Sequence, residues 1–173
     1  MSVRAAALCL AMLLAAPAVA ADPIELGTYK SWTALTATSG TGKVCYALAT
    51  PSATTPAGKK LARDKIYVLI SVWPGRGVRD EVQIVPGYLY KEGEPVYAQV
   101  GRMRTEFFTR NEGKGGSAWV KNIEDEAALV RAMRQGSTLT VTGVSKKGTK
   151  TTDTYGLSGI ASALERAHRE CGK

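Results

Sequence analysis

The residues that look most ready for chemistry are Ser39-Gly40-Thr41-Gly42-Lys43-Val44-Cys45, where glycines precede a lysine as they do in a phosphate-cradling loop. Such a loop needs Gly, four free positions and then Gly-Lys-Ser/Thr, so that its backbone N–H groups wrap the phosphates and a hydroxyl holds magnesium. Here the first glycine position is Ala37 and the hydroxyl position is Val44. The adjoining run, Lys43 to Thr50, alternates like a strand rather than a helix. The stretch therefore reads as a turn that delivers Cys45 into a strand, with no nucleotide bound.

Other catalytic constellations fail for similar reasons. The single histidine, His168, falls on the inward face of a helical pattern, where packing is its ordinary role. Two distant cysteines and one histidine lack the local spacing of a zinc site. No Gly-x-Ser-x-Gly turn accompanies His168, so a serine-hydrolase triad has no nucleophile elbow. Two acidic groups, Asp80-Glu81 and Glu124-Asp125-Glu126, would supply the carboxylates of a glycoside hydrolase. The second is equally the favourable acidic first turn of a helix. The tryptophans Trp32, Trp73 and Trp119 lie in or beside expected strands, where packing is the default; a sugar-stacking platform is the alternative, and nothing in the sequence favours it. The chain is thus expected to be no enzyme and to need no cofactor or metal; the alternative is an enzyme acting on envelope polysaccharide.

Residues 1–20 carry one positive charge at Arg4, an apolar stretch from Ala5 to Ala16 and Ala18-Val19-Ala20 before Ala21. This is the pattern of a secretory signal peptide, with an apolar run too short to span a bilayer. We expect a periplasmic protein, with outer-membrane association or secretion as the alternatives, and no transmembrane segment after signal removal. Of its cysteines, Cys45 and Cys171 would survive cleavage, and an oxidising compartment favours a bridge between them. Without Arg4, 22 basic side chains face 15 acidic ones, a net charge of +7. Outside the cytoplasm that charge points away from nucleic acid and toward an anionic envelope or host-surface component.

The elements that must position these residues are mostly strands. Period-two runs are expected over Tyr29 to Leu35, Val44 to Thr50, Lys65 to Trp73, Asp80 to Val85, Val96 to Gly101, Thr105 to Thr109 and Ala118 to Lys121. Gly- and Pro-rich connections separate them. One helix follows Asn122, with a narrow apolar stripe through Ile123, Ala127, Val130 and Met133 or Arg134, and ends at Gly136. A second begins at Ser158 and aligns Ile160, Leu164, Ala167, His168 and Cys171. Between them a hairpin turns at Lys146-Lys147-Gly148. The fold class is mainly β, an antiparallel β-sandwich or barrel with two short α-helices in the C-terminal half. Residues 21–173 form a single domain, and either closure suits the pattern.

Several landmarks then accumulate in order: Glu81-Val82-Gln83-Ile84 with Gly87-Tyr88, Phe107-Phe108 before Ala118-Trp119, the helix end Ala132 to Gly136, and the segment Ser145 to Ser158. Together they resemble the invasion-associated locus B family of exported alphaproteobacterial proteins, over roughly Trp32 to Cys171. Ser145 to Ser158 looks like the family's Ser-x-Arg-Gly-Thr-x-Thr-x-Asp-x-Tyr-Ser-Leu segment, with Lys147 where Arg is usual and Gly156 in place of Ser. The resemblance implies a mainly β, periplasmic or outer-membrane-associated protein, linked in some pathogens to host-cell entry, with no established activity or cofactor. Within the segment, Thr149 and Thr151 are expected to build a strand, with Asp153 or Tyr155 bonding to loop backbone near the last helix. Lys146, Lys147 and Lys150 are the candidate contacts for an anionic group.

Overall fold

The computed structural model describes residues 22–40, 42–55 and 63–172. The signal-like segment lies outside them. The chain runs β1 (Ile24–Tyr29), β2 (Trp32–Ser39), β3 (Gly42–Ala49), β4 (Ala53–Thr55), β5 (Tyr67–Trp73), β6 (Val78–Val85), β7 (Val96–Val100), β8 (Met103–Glu112), β9 (Gly115–Val120), α1 (Ile123–Gln135), β10 (Thr138–Val144), β11 (Lys150–Gly156) and α2 (Ile160–Cys171). All named strands join one 11-stranded sheet in the order β1-β2-β3-β5-β6-β9-β8-β7-β10-β11-β4. The sheet is antiparallel, as expected, and is not closed into a barrel, so the barrel alternative falls away. Its flanks still converge. The Trp32 indole N–H donates to the Gly156 carbonyl at 2.9 Å, and the Ser31 N–H donates to the Ser158 carbonyl at 3.2 Å.

Alternation sends Val68, Ile70, Val82, Ile84, Val96, Ala98, Phe107 and Ala118 into one core, where Trp32, Tyr90 and Tyr155 are also buried. Two elements depart from expectation. The run Tyr29 to Leu35 is a hairpin rather than a strand: it turns at Lys30, with φ 54°, and pairs Tyr29 with Trp32. A lysine-serine turn carries no Gly or Pro signal, yet it swings the large indole into the core. Ala53–Thr55, read as loop, pairs with β11 at the sheet's edge.

The helices cover the sheet's open side. In α1 the buried residues are Leu129, Val130 and Met133: Val130 and Met133 lie on the expected stripe, Leu129 is buried in place of the expected Ala127, and Ile123 is left 81% exposed. Asn122 occupies the cap position, but its side chain reaches the Asp125 carboxylate instead of a backbone amide. In α2, Ile160, Ala163, Leu164, Ala167 and Cys171 face inward, matching the expected face. The expected Cys45–Cys171 disulfide is present, with Cα atoms 5.8 Å apart across a separation of 126 residues. It packs with Val72 and Ala167 and ties α2 to β3. The cap of α2 is Gly159, at φ 96°, so close to the β1–β2 turn that a Cβ there would stand 1.9 Å from the Tyr29 carbonyl oxygen.

Candidate functional site

The outer face of the sheet carries what its inner face excludes. Register aligns Leu69, Gln83, Trp119 and Phe108 in one row across β5, β6, β9 and β8. Phe108 and Trp119 stack with centroids 5.7 Å apart and planes inclined by 25°. Gln83 Nε2 donates to Ser117 Oγ at 3.0 Å, which fixes its amide beside the indole. At the end of β5 the register shifts between Ser71 and Trp73. Such an irregularity re-aims a side chain. Trp73 Nε1 donates to Ser71 Oγ at 3.1 Å, and Arg76 lies 5.3 Å from the Trp73 ring centre. The N-terminal turns of α1 supply the opposite wall through Ile123 and Glu126, enclosing a cleft of about 490 Å³ with Glu81 and Arg110.

Ile123 and Glu126 also border a second cleft, of about 600 Å³, lined by Arg79, Asp80, Arg131, Arg134 and His168. The two clefts thus adjoin at Ile123 and Glu126, and together they are called the groove. In the second, His168 Nε2 meets Asp80 Oδ1 at 2.5 Å and an Arg79 terminal nitrogen meets Nδ1 at 3.1 Å. Because a guanidinium only donates, Nδ1 is the acceptor and the Nε2 proton goes to Asp80. Asp80 adopts φ 62°, a left-handed conformation uncommon outside glycine. Glu126 Oε1 accepts the Val82 N–H at 2.8 Å. Burial pushes the Glu126 carboxyl above its ordinary value, the Val82 N–H pulls it back, and the charges of Glu81 and Asp80 push it further up. The two acidic groups that sequence keeps apart therefore converge on one groove.

The residues singled out by sequence divide into an inward and an outward set. Lys146, Lys147 and Lys150 are exposed around the β10–β11 turn. Ser145 organises that turn: its carbonyl accepts the Gly148 N–H at 2.7 Å and its hydroxyl the Thr149 N–H at 3.1 Å. Thr151 is buried, its hydroxyl 2.6 Å from that of Tyr88. Among the described residues, neither Asp153 nor Tyr155 bonds to loop backbone through its side chain. Asp153 takes the Arg63 guanidinium, and the Tyr155 hydroxyl is buried with no partner among the described residues. Burial drives the Tyr155 phenol far above its ordinary range. Lys43, the lysine of the phosphate-like stretch, pairs with Glu170 on α2 at 2.7 Å, and the stretch itself joins β2 to β3.

The groove residues Trp73, Phe108 and Trp119 were not predicted as a site. Alternation shows that Trp119 and Gln83 point the same way, but only the placement of β9 between β6 and β8 makes them neighbours. Among the described residues no cluster of three or more His, Cys, Asp or Glu side chains stands ready for a metal ion, and no helix is long and apolar enough to cross a membrane.

Comparison with known proteins places this architecture. The crystal structure of invasion associated protein b from Bartonella henselae is similar in fold, with a TM-score of 0.59 at 18% identity, covering 87% of this chain and 99% of that one. No curated protein matches. The model of the invasion associated locus B (IalB) protein family matches residues 32–168, a span that includes the groove, the Arg63–Asp153 pair and His168. On that match, the chain belongs to the invasion associated locus B family.

Proposed function

We propose that this chain is an exported, non-catalytic binding domain of the cell envelope, and that the groove between the sheet's outer face and α1 is its binding surface. One observation carries the reading. Large apolar side chains left exposed among the described residues are Ile24, Phe108 and Ile123, and two of these line the same cleft as Trp73 and Trp119. Exposed apolar surface gathered in one concavity with a few polar groups is the usual form of a ligand site. The signal-like residues 1–20 and the oxidised Cys45–Cys171 pair support export to the periplasm or beyond.

A second reading, hydrolysis of envelope polysaccharide, draws on Glu81 and Glu126 sharing that cleft, with the Glu126 carboxyl raised. Their present partners favour binding. Glu126 Oε1 is tied to the Val82 backbone, and the Ser71 hydroxyl lies 3.5 Å from Glu81 Oε2. The test is a glycan and lipid array with the mature chain beside its F108A/W119A variant, together with assay of envelope polysaccharide for cleavage. Saturable binding lost in the variant is expected. Binding indifferent to the variant, or cleavage abolished by E126Q, would replace this reading.

A further inference from the structure

Backbone pairing narrows what the groove can take. Strands β6, β9 and β8 lie inside the sheet, and at the aromatic shelf Gln83 is already paired with Trp119 and Trp119 with Phe108, so an extended peptide cannot be added between these strands there. Recognition here must come from side chains. Those side chains combine aromatic faces, at Trp73, Phe108 and Trp119, with polar edges at Glu81, Gln83 and Arg110. An acyl chain would need an enclosed apolar wall without such edges. A sugar ring matches both kinds of surface, its C–H face stacking on an indole while its hydroxyls bond to amide, carboxylate and guanidinium groups.

The adjoining half of the groove has a different character. Arg131 and Arg134 lie one helical turn apart on α1, and neither forms an ion pair with the described residues. Arg79 is partly offset by Asp80 at 3.9 Å, and Asp80 is itself engaged by His168. Glu126, the other carboxylate of this half, stands at the junction with one oxygen tied to the Val82 N–H. An anionic group is therefore turned away from the junction and toward the two arginines.

From Ile123 to Arg134 the helix rises about 16 Å at 1.5 Å per residue, the reach of a short oligosaccharide rather than one sugar. We propose that the groove binds an acidic oligosaccharide, with sugar rings on the Trp73, Phe108 and Trp119 shelf and carboxylate or phosphate substituents at Arg131 and Arg134. This rests on the groove being the binding surface and adds the ligand's class and its direction along α1.

Isothermal titration of the mature chain at 0.1 M salt would compare a tetrameric galacturonan, its neutral galactan counterpart and tripolyphosphate. The acidic tetramer should bind about tenfold more tightly than the neutral one, the contribution of two charge-assisted contacts. R131Q/R134Q should erase that preference while leaving neutral binding intact. F108A/W119A should weaken both saccharides about tenfold and reduce quenching of tryptophan fluorescence by the ligand to what Trp73 contributes. Circular dichroism of all variants and the Tm of R131Q/R134Q should match the parent, whereas F108A/W119A, which loses a stacked cross-strand pair, should keep the parent's circular dichroism with a lower Tm. Equal binding of neutral and acidic tetramers, a preference that survives R131Q/R134Q, or tripolyphosphate bound as tightly as galacturonan would overturn the proposed ligand while leaving the groove reading in place. No binding of either saccharide would likewise overturn the proposed ligand alone, whereas saccharide binding unaffected by F108A/W119A would overturn both.

Discussion

Arg63 grips Asp153 with both terminal nitrogens, at 2.7 and 2.6 Å, and the two side chains are only 6% and 3% exposed. The same guanidinium donates its Nε proton to the Pro86 carbonyl at 2.7 Å and lies 5.0 Å from the Tyr88 ring centre. Tyr88 in turn meets Thr151, two residues before Asp153. Asp153, within the segment Ser145 to Ser158, thus clamps β11 to the chain on either side of β5 and β6. Its role is visible in the packing without any ligand.

Removing either partner of this clamp leaves the other buried without its counter-charge, a loss of about 3–5 kcal/mol in comparable sites. We expect R63A and D153A each to lower unfolding free energy by about that amount, and the double variant to lose clearly less than the sum. Urea unfolding of the parent, the two single variants and the double variant measures the coupling. Additive losses would show that the pair does not act as a unit.

Sequence and structure agree where neighbours in space are neighbours in pattern. The α2 face, the strand alternation from Val68 to Ile84 and the cysteine pair were all legible because each depends on local periodicity or on export chemistry. The groove was not. Trp119 reaches Gln83 only because β9 inserts between β6 and β8, and Glu126 reaches β6 only because α1 folds back over the sheet. Local pattern assigns a side chain to a face and leaves its cross-strand partner open. The Lys30 turn escaped for a related reason: burial of Trp32 drives it, and no local turn residue marks it.

The Cys45–Cys171 bond closes a loop of 126 residues, for which chain entropy gives a stabilisation on the order of 4–5 kcal/mol before strain or residual unfolded structure is subtracted. Reduction, or C45A/C171A, should therefore shift the urea midpoint of unfolding clearly downward, since up to about 4–5 kcal/mol is a large share of a domain stability of about 5–15 kcal/mol. The effect should spread to α2, whose inward face includes Cys171. Hydrogen exchange would report faster opening of α2 than of β5 and β6 in the reduced protein. An unchanged midpoint on reduction would mean that packing of Ala163, Leu164 and Ala167 holds the helix unaided.

Glu126 makes a pH prediction whose sign follows from its raised carboxyl. A group that holds its proton more tightly folded than unfolded contributes stability at low pH and loses it as pH climbs through the folded value. The window opens near the ordinary value of 4.5 and extends above it. Glu126→Gln cannot ionise, and its Oε1 still accepts the Val82 N–H. The stability of E126Q relative to the parent should be lowest below pH 4.5 and rise through the window to a plateau at neutral pH. Paired urea titrations from acid to neutral pH test this, and a difference that is flat or falls with pH would contradict the assigned environment.

Two glycines separate backbone strain from close approach. Gly148, in the β10–β11 turn, has φ 83°, and a Cβ there would meet nothing within 4 Å. Gly159 has φ 96°, but its Cβ would fall 1.9 Å from the Tyr29 carbonyl oxygen, at the place where the β1–β2 turn packs against the start of α2. Substitution by alanine imposes a left-handed conformation on an L-residue at both positions, costing about 1–3 kcal/mol. Only at Gly159 must the backbone of a second element also move. We therefore expect G159A to destabilise clearly more than G148A in urea unfolding, with the excess accompanied by loss of the Ser31–Ser158 backbone bond, read as faster exchange of the Ser31 amide. Equal losses at the two sites would mean that the β1–β2 turn yields freely, and that the contact between the sheet's first hairpin and its last helix does not fix how α2 docks.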